Sequence, residues 1–336
     1  MSQKIRLAIN GFGRIGRCAF KIALEKKNIE VVAVNDLASV ENLAYLLKHD
    51  SVYGHYNQEV KAGQDFLVIG SKKVPVLNEK EPAKLPWKKL KVDVVLECTG
   101  FFTDQVGASQ HIAAGAKKVL ISAPGKEDVK HTLVLGTEFT AKNFKVGQVI
   151  SNASCTTNCI APVIQVLEST FGISKALLNT SHAYTVSQGL VDGPNKKDLR
   201  EGRAAAINQV PAATGAAKAT AKVVPSLVGL FDGIAIRVPV SCGSIADVTC
   251  LLKKNVTVEE INNAFKQAVK KPLFKGILAV SDEPLVSSDI VGDSHSAIVD
   301  LSLTRVVGGN LVKVLAWYDN ELGYSHRLVE MAEHIL

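Results

Sequence analysis

Through the first 150 or so residues, short continuous apolar runs alternate with stretches whose apolar positions recur at helical spacing. Ile5–Asn10 and Ile29–Asn35 read as buried strands. Residues 14–27 between them place Ile15, Ala19, Ile22 and Ala23 on one helical side. Further strands are expected at 92–98, Lys118–Ile121, 132–136 and 148–150, with a helix at 105–114 stopped by Gly115. Unbroken apolar strands alternating with helices predict a parallel sheet covered on both faces. After about residue 155 the pattern changes. Strands at 176–184, 232–240 and 244–254 are longer and follow one another. Residues 256–271 form an amphipathic helix, opened by the capping box Thr257 and Glu260. Strands at 297–307 and Leu311–Tyr318 pair about Gly308-Gly309-Asn310, and Asn320 is expected to cap a last helix, 321–335. The polar segment 185–203 is long for a loop in a compact domain, which points to function.

The turn after the first strand reads Gly11-Phe12-Gly13-Arg14-Ile15-Gly16. A lone GxGxxG is weak. Here it follows a strand, opens a helix, and precedes an acid at a strand end, Asp36, by about 20 positions. That context is the dinucleotide-binding fingerprint: glycines admit a pyrophosphate and the helix start supplies N–H donors. A carboxylate at Asp36 would accept ribose hydroxyls and repel a 2′-phosphate, favouring NAD over NADP. The fold class is therefore α/β: an N-terminal Rossmann-type dinucleotide-binding domain, 1–154, and an α+β catalytic domain with a largely antiparallel sheet, 155–319. In a parallel sheet ligands gather at the strands' carboxyl ends. Asp36, Thr99, Ser122 and Cys155 are expected along that edge.

The candidate nucleophile is Cys155, within Ser151-Asn152-Ala153-Ser154-Cys155-Thr156-Thr157-Asn158-Cys159. A strand precedes it and an apolar helix follows, so it lies at a helix N-terminus. Unpaired N–H groups and the helix dipole are expected to lower its pKa there. Cys159, one turn on, reads more simply as a small buried residue. A base is needed, and His182 is the best candidate. Any single histidine could equally be a core or surface residue.

At 336 residues, two domains are the prior. The chain is 47% hydrophobic and has no apolar run near the ~20 residues that span a bilayer. No secretory leader or C-terminal retention signal is expected. Six scattered cysteines without a CxxC pair fit a reducing cytoplasm and no metal. The net charge of +7 comes without a basic block, so anionic small molecules explain it as well as nucleic acid does.

With Gly11–Arg17, Ser151–Cys159, Thr214-Gly215-Ala216-Ala217-Lys218-Ala219, Arg237-Val238-Pro239 and Trp317-Tyr318-Asp319-Asn320-Glu321 in order, the whole chain resembles the phosphorylating glyceraldehyde-3-phosphate dehydrogenases. The resemblance implies oxidation of glyceraldehyde 3-phosphate with NAD and inorganic phosphate to 1,3-bisphosphoglycerate. It implies a cytoplasmic homotetramer in which helix 320–336 packs back onto the first domain, with no membrane and no nucleic acid as main partner. Cys155 would attack the aldehyde and His182 would move the protons. Arg237 and Thr185 would hold the substrate phosphate. Ser154, Thr156, Arg203, Thr214 and Gly215 would form or border the inorganic phosphate site, and the assignment between the two sites stays open. Gly11, Phe12, Gly13, Arg14, Ile15, Asp36, Lys80, Thr99, Ser122, Asn320 and Tyr324 would bind NAD, with Lys80 at the adenine end. The sequence departs from the family's usual pattern at Leu322, at Ser241-Cys242-Gly243-Ser244 and at Val186-Ser187. Two rivals are an erythrose-4-phosphate dehydrogenase, against which Asp36 argues because that relative tends to carry Glu, and a basic NAD-binding protein acting on RNA, which would need no activated thiol.

Overall fold

The computed structural model describes residues 4–196 and 198–336. These divide into two compact units. One holds the chain up to Leu133, Asn143–Ala153 and Ser325–Leu336, and the other holds Val134–Lys142 and Ser154–Tyr324.

The first unit is built on a nine-stranded sheet. In spatial order its strands are His131–Thr132, Val149–Ser151, Lys118–Ile121, Val94–Glu97, Ile5–Asn10, Ile29–Asn35, Lys72–Leu77, Phe66–Ile69 and Val60–Ala62. Neighbours are parallel from His131–Thr132 as far as Lys72–Leu77, and the last two strands join antiparallel. The antiparallel edge and the helix Val40–Lys48 carry no long apolar run, and their short strands escape the pattern seen in the sequence. Ala8, Val95, Val119 and Ile121 form an apolar core with Trp87 and Ala108, none of them exposed. The C-terminal helix, Leu322–His334, contributes its later turns to this unit. There Glu333 accepts from Lys26 Nζ at 3.2 Å and Asn28 Nδ2 at 2.7 Å, and His334 stacks on Phe144.

The second unit carries an eight-stranded sheet in the order Val210–Ala213, Phe231–Val238, Ile173–Ala183, Ser244–Leu252, Leu311–Tyr318, Ala297–Asp300 and Leu278–Ser281, with Arg305–Val307 pairing beside Leu311–Tyr318. All pairs are antiparallel except Ile173–Ala183 with Phe231–Val238 and Leu278–Ser281 with Ala297–Asp300. The helix Cys155–Phe171 is buried over almost its whole length and covers one face. The helix Val258–Ala268 opens with both bonds of the expected capping box.

Two expectations are corrected. The strand at 297–307 is broken by a tight turn at Leu301–Leu303, because Asp300 Oδ1 accepts the N–H of Ser302 and turns the backbone out of the ladder. The last helix is capped by Asp319, not Asn320. Asp319 Oδ1 accepts the N–H groups of Glu321 and Leu322 at 2.9 and 2.8 Å. Asn320 Oδ1 instead accepts from Ser244 Oγ at 2.9 Å and Gly243 N at 3.2 Å.

Candidate active site

Ser154 begins the helix that carries the nucleophile. Its Oγ accepts the N–H of Thr157 at 3.1 Å, the N-cap bond expected of serine. Ala153, just before it, has φ +54°, left-handed backbone that a residue with a Cβ adopts at a cost. This strained corner turns the chain sharply into the helix, so Cys155 becomes the first helical residue. Cys155 is half-buried as a residue, and its Sγ lies 3.3 Å from His182 Nε2.

His182 lies near the end of strand Ile173–Ala183, on the face buried by that helix. In the parallel ladder its register partner is Arg237. Two residues paired in register point to the same face, and this places the guanidinium beside the imidazole. Arg237 Nη1 lies 2.6 Å from His182 Nδ1, and the carbonyl of Ala183 lies 2.7 Å from the same nitrogen. The two contacts ask opposite things of Nδ1. Donating to Ala183, it leaves Nε2 a lone pair for the thiol proton. Accepting from Arg237, it leaves Nε2–H facing a thiolate. Burial and then the Arg237 charge lower the His182 pKa to about 4, so the ring is a neutral base at pH 7.

The thiol's pKa is not lowered as the helix position alone predicts. Burial raises it, and Arg237 and the N–H and hydroxyl of Thr156 only partly oppose this. The physical reason is desolvation, which penalises a sulfur anion more than the nearby charge and N–H groups reward it. Cys155 is therefore a thiol that ionises when a neighbour takes its proton, and His182 Nε2 is that neighbour when Nδ1–H donates to the Ala183 carbonyl. Cys98 and Cys250 are pushed by burial to about 12, and Cys159 also well upward.

The motif residue Tyr318 has a structural part that its sequence position did not disclose. Its fully buried hydroxyl lies 2.9 Å from both Thr156 Oγ1 and Thr180 Oγ1, with its ring edge-on to His182. Thr156 is thus tied inward. Thr185 Oγ1 bonds Ser187 Oγ at 3.0 Å, and Thr214 Oγ1 accepts the N–H of Ala216 at 3.2 Å beside the exposed Gly215. Arg203, also exposed, pairs with Asp192 at 2.9 Å. Tyr324 is buried in the same unit.

In the first unit the dinucleotide fingerprint is built as its spacing implies. Gly11 has φ +92°, and a Cβ there would lie 2.7 Å from the Cys98–Thr99 peptide. Gly13 is the N-cap of Arg14–Glu25 and gives no side-chain cap, which leaves the turn open to an anion. Asp36 Oδ2 accepts the N–H of Phe12 at 2.7 Å, so the acid already touches the glycine loop. Phe12 is buried edge-on to Phe20, and Ile15 is half-buried. Arg14 Nη1 pairs with Asp50 at 2.8 Å. Thr99 bonds back to Glu97, Ser122 N donates to Glu97 O at 2.9 Å, and Lys80 is exposed. An open helix start, a Gly11 that no side chain can replace and an acid beside it fit a dinucleotide.

Residues 5–105 match the model of the glyceraldehyde 3-phosphate dehydrogenase NAD binding domain, and 154–320 that of the same family's C-terminal domain. The chain is 52% identical to the glyceraldehyde-3-phosphate dehydrogenase of Streptomyces coelicolor, over 97% of both chains. It belongs to the glyceraldehyde-3-phosphate dehydrogenase family. It is also 50% identical to the enzyme of that name from Geobacillus stearothermophilus, over 98% of each chain, and 49% identical to glyceraldehyde-3-phosphate dehydrogenase 2 of Bacillus subtilis, over 99% of this chain and 97% of that one. As a member of this family the chain is an NAD-dependent oxidoreductase, and its first unit carries the family's NAD-binding domain.

Proposed function

We propose that the chain oxidises D-glyceraldehyde 3-phosphate with NAD and inorganic phosphate to 1,3-bisphosphoglycerate, in glycolysis or its reverse. The contact of Cys155 Sγ with His182 Nε2 at 3.3 Å carries the reading, because it joins a nucleophile to a neutral base. His182 Nε2 takes the thiol proton as sulfur attacks the aldehyde carbon. The helix-start N–H groups at Cys155 and Thr156 face the developing oxyanion. His182 returns that proton to the oxyanion, giving the thiohemiacetal, and takes it back from the hydroxyl as hydride departs. When bound, the nicotinamide of NAD supplies the hydride acceptor. A phosphate oxygen attacks the Cys155 thioester, the C–S bond breaks, and the acyl phosphate leaves a thiolate behind.

In this reading Arg237 serves the phosphates, since its planar fork suits them. Thr185 joins it at the substrate phosphate, while Ser154, Thr156, Thr214, Gly215 and Arg203 serve inorganic phosphate. Asn320 Oδ1 is engaged by Ser244 and Gly243, so its amide hydrogens are the groups it offers to the nicotinamide carboxamide. Gly11–Ile15, Asp36, Lys80, Thr99, Ser122 and Tyr324 complete the cofactor set. The family's homotetramer is supported by the apolar outer face of the second unit's sheet, where Leu177, Ile234 and Leu311 are exposed. A cytoplasmic site is supported by six free cysteines. No described helix is long and apolar enough to cross a membrane.

The Arg237→Leu variant tests the phosphate assignment. It should lose about 2–4 kcal/mol of transition-state stabilisation, seen as weaker use of both aldehyde and phosphate. It should also raise the His182 pKa, because the nearby positive charge is gone. Steady-state kinetics at varied aldehyde and phosphate, repeated across pH, measures both. Unchanged dependence on phosphate and aldehyde would remove Arg237 from the phosphate sites.

A further inference from the structure

Three neighbouring parallel strands of the first unit end on buried polar residues: Asn35, Asn10 and Glu97, in sheet order. Each is followed at once by a loop assigned to the cofactor: Asp36 after Asn35, Gly11–Gly13 after Asn10, and Thr99 just beyond Glu97. The three side chains are joined. Asn35 Nδ2 donates to Asn10 Oδ1 at 2.7 Å, and Asn10 Nδ2 donates to Glu97 Oε2 at 2.6 Å. His111 Nε2 lies 3.0 Å from the same oxygen, and Trp87 Nε1 donates to His111 Nδ1 at 2.9 Å. An indole N–H can only donate, so Nδ1 of His111 is the acceptor and the neutral ring's proton sits on Nε2, aimed at Glu97. The other carboxylate oxygen, Oε1, accepts the N–H of Thr99 at 2.8 Å and also its hydroxyl. At the far end Asn35 exchanges two bonds with the backbone of Glu79, next to Lys80.

A buried carboxylate receiving four donors is costly to assemble and contributes no more to stability than a well-packed apolar side chain would. What it supplies is fixed geometry. The backbone leaves little slack around it. Gly11 N donates to Asn35 O at 2.8 Å, Cys98 N donates to Asn10 O at 2.7 Å, and Gly11 is pressed against the Thr99 peptide. A shift of Glu97 therefore moves Thr99 directly and the other two loops through Asn10 and Asn35. We propose that Glu97, oriented by His111, is a positioning residue for the cofactor, setting the Thr99, Gly11–Gly13 and Asp36 loops as one body. The inference rests on the NAD reading above.

The test uses the full chain, with NAD affinity measured by calorimetry beside steady-state kinetics. Glu97→Gln keeps the shape but turns an amide N–H toward groups that are themselves donors. The dissociation constant and KM for NAD should rise by about tenfold or more, well beyond any change in kcat. His111→Phe removes one donor from Glu97 and leaves Trp87 Nε1 without its acceptor, so it should behave alike. His111→Gln offers one acceptor and one donor at similar spacing, and should restore NAD affinity. If Glu97→Gln does not fold, the two His111 variants decide. Glu97→Gln and His111→Phe with wild-type NAD affinity would overturn the proposal. So would a loss shared equally by His111→Gln and tracking melting temperature, which is the mark of a merely structural role. A wild-type chain that does not bind NAD would instead defeat the cofactor reading, and this inference with it.

Discussion

Cys155→Ser should fold normally, bind NAD, and lose aldehyde oxidation by at least about 10⁴-fold, because a hydroxyl is a far weaker acid and nucleophile than a thiol. The site explains the severity. Among the described residues the sulfur in contact with His182 Nε2 is that of Cys155, and the neighbouring Thr156 Oγ1 is held by Tyr318. Alkylation by iodoacetate should likewise place about one label per chain, at Cys155, and inactivate it. The other thiols are poor competitors, because Cys98 and Cys250 are held near 12 by burial and Cys18, Cys159 and Cys242 are buried. First labelling at Cys98 or Cys242, or residual turnover in the serine variant, would move the nucleophile elsewhere.

His182→Asn should lower kcat by about 10²–10⁴-fold with smaller effects on KM, because the imidazole acts in the proton transfers and not in holding the substrate. It should also change how stability depends on pH. The ring's pKa falls from the ordinary 6.5 to about 4 in the folded chain. Between those values the unfolded chain binds more protons than the folded one, so stability is full above pH 6.5 and falls as pH drops toward 4. The loss is of order 3 kcal/mol for this one group. Denaturant titrations at pH 7 and pH 4.5 should show a shallower pH dependence in the asparagine variant than in the wild type. Equal slopes would mean that His182 is not buried as a neutral ring.

Local motifs were the legible part of the site. The glycine turn, Asp36, the Ser154–Cys155 helix start and the Thr257–Glu260 box each lie within a short stretch whose geometry follows from residue type and spacing. Register was not legible. That His182 sits beside Arg237 depends on how two strands 55 residues apart slide past each other in a parallel ladder, and no local pattern fixes that. Asp319 and Asn320 are equally good caps by type. Which of them caps was decided by the pull of Ser244 and Gly243 on Asn320. The rise in the Cys155 pKa also escaped the sequence, because desolvation depends on what covers the helix end. The row Asn35–Asn10–Glu97 left one faint trace, a polar residue closing each of three apolar strands, but its joining to His111 and Trp87 is purely tertiary.

Phosphate dependence tests the central claim most directly. NADH formation is followed by absorbance with glyceraldehyde 3-phosphate and NAD in a phosphate-free buffer, then with inorganic phosphate or arsenate added. If a Cys155 thioester is released by a phosphate held beside it, turnover without either anion should stop after about one NADH per chain and resume at full rate when either is supplied. Sustained full-speed turnover with neither anion present would show that water releases the thioester, and would contradict the phosphorylating reading.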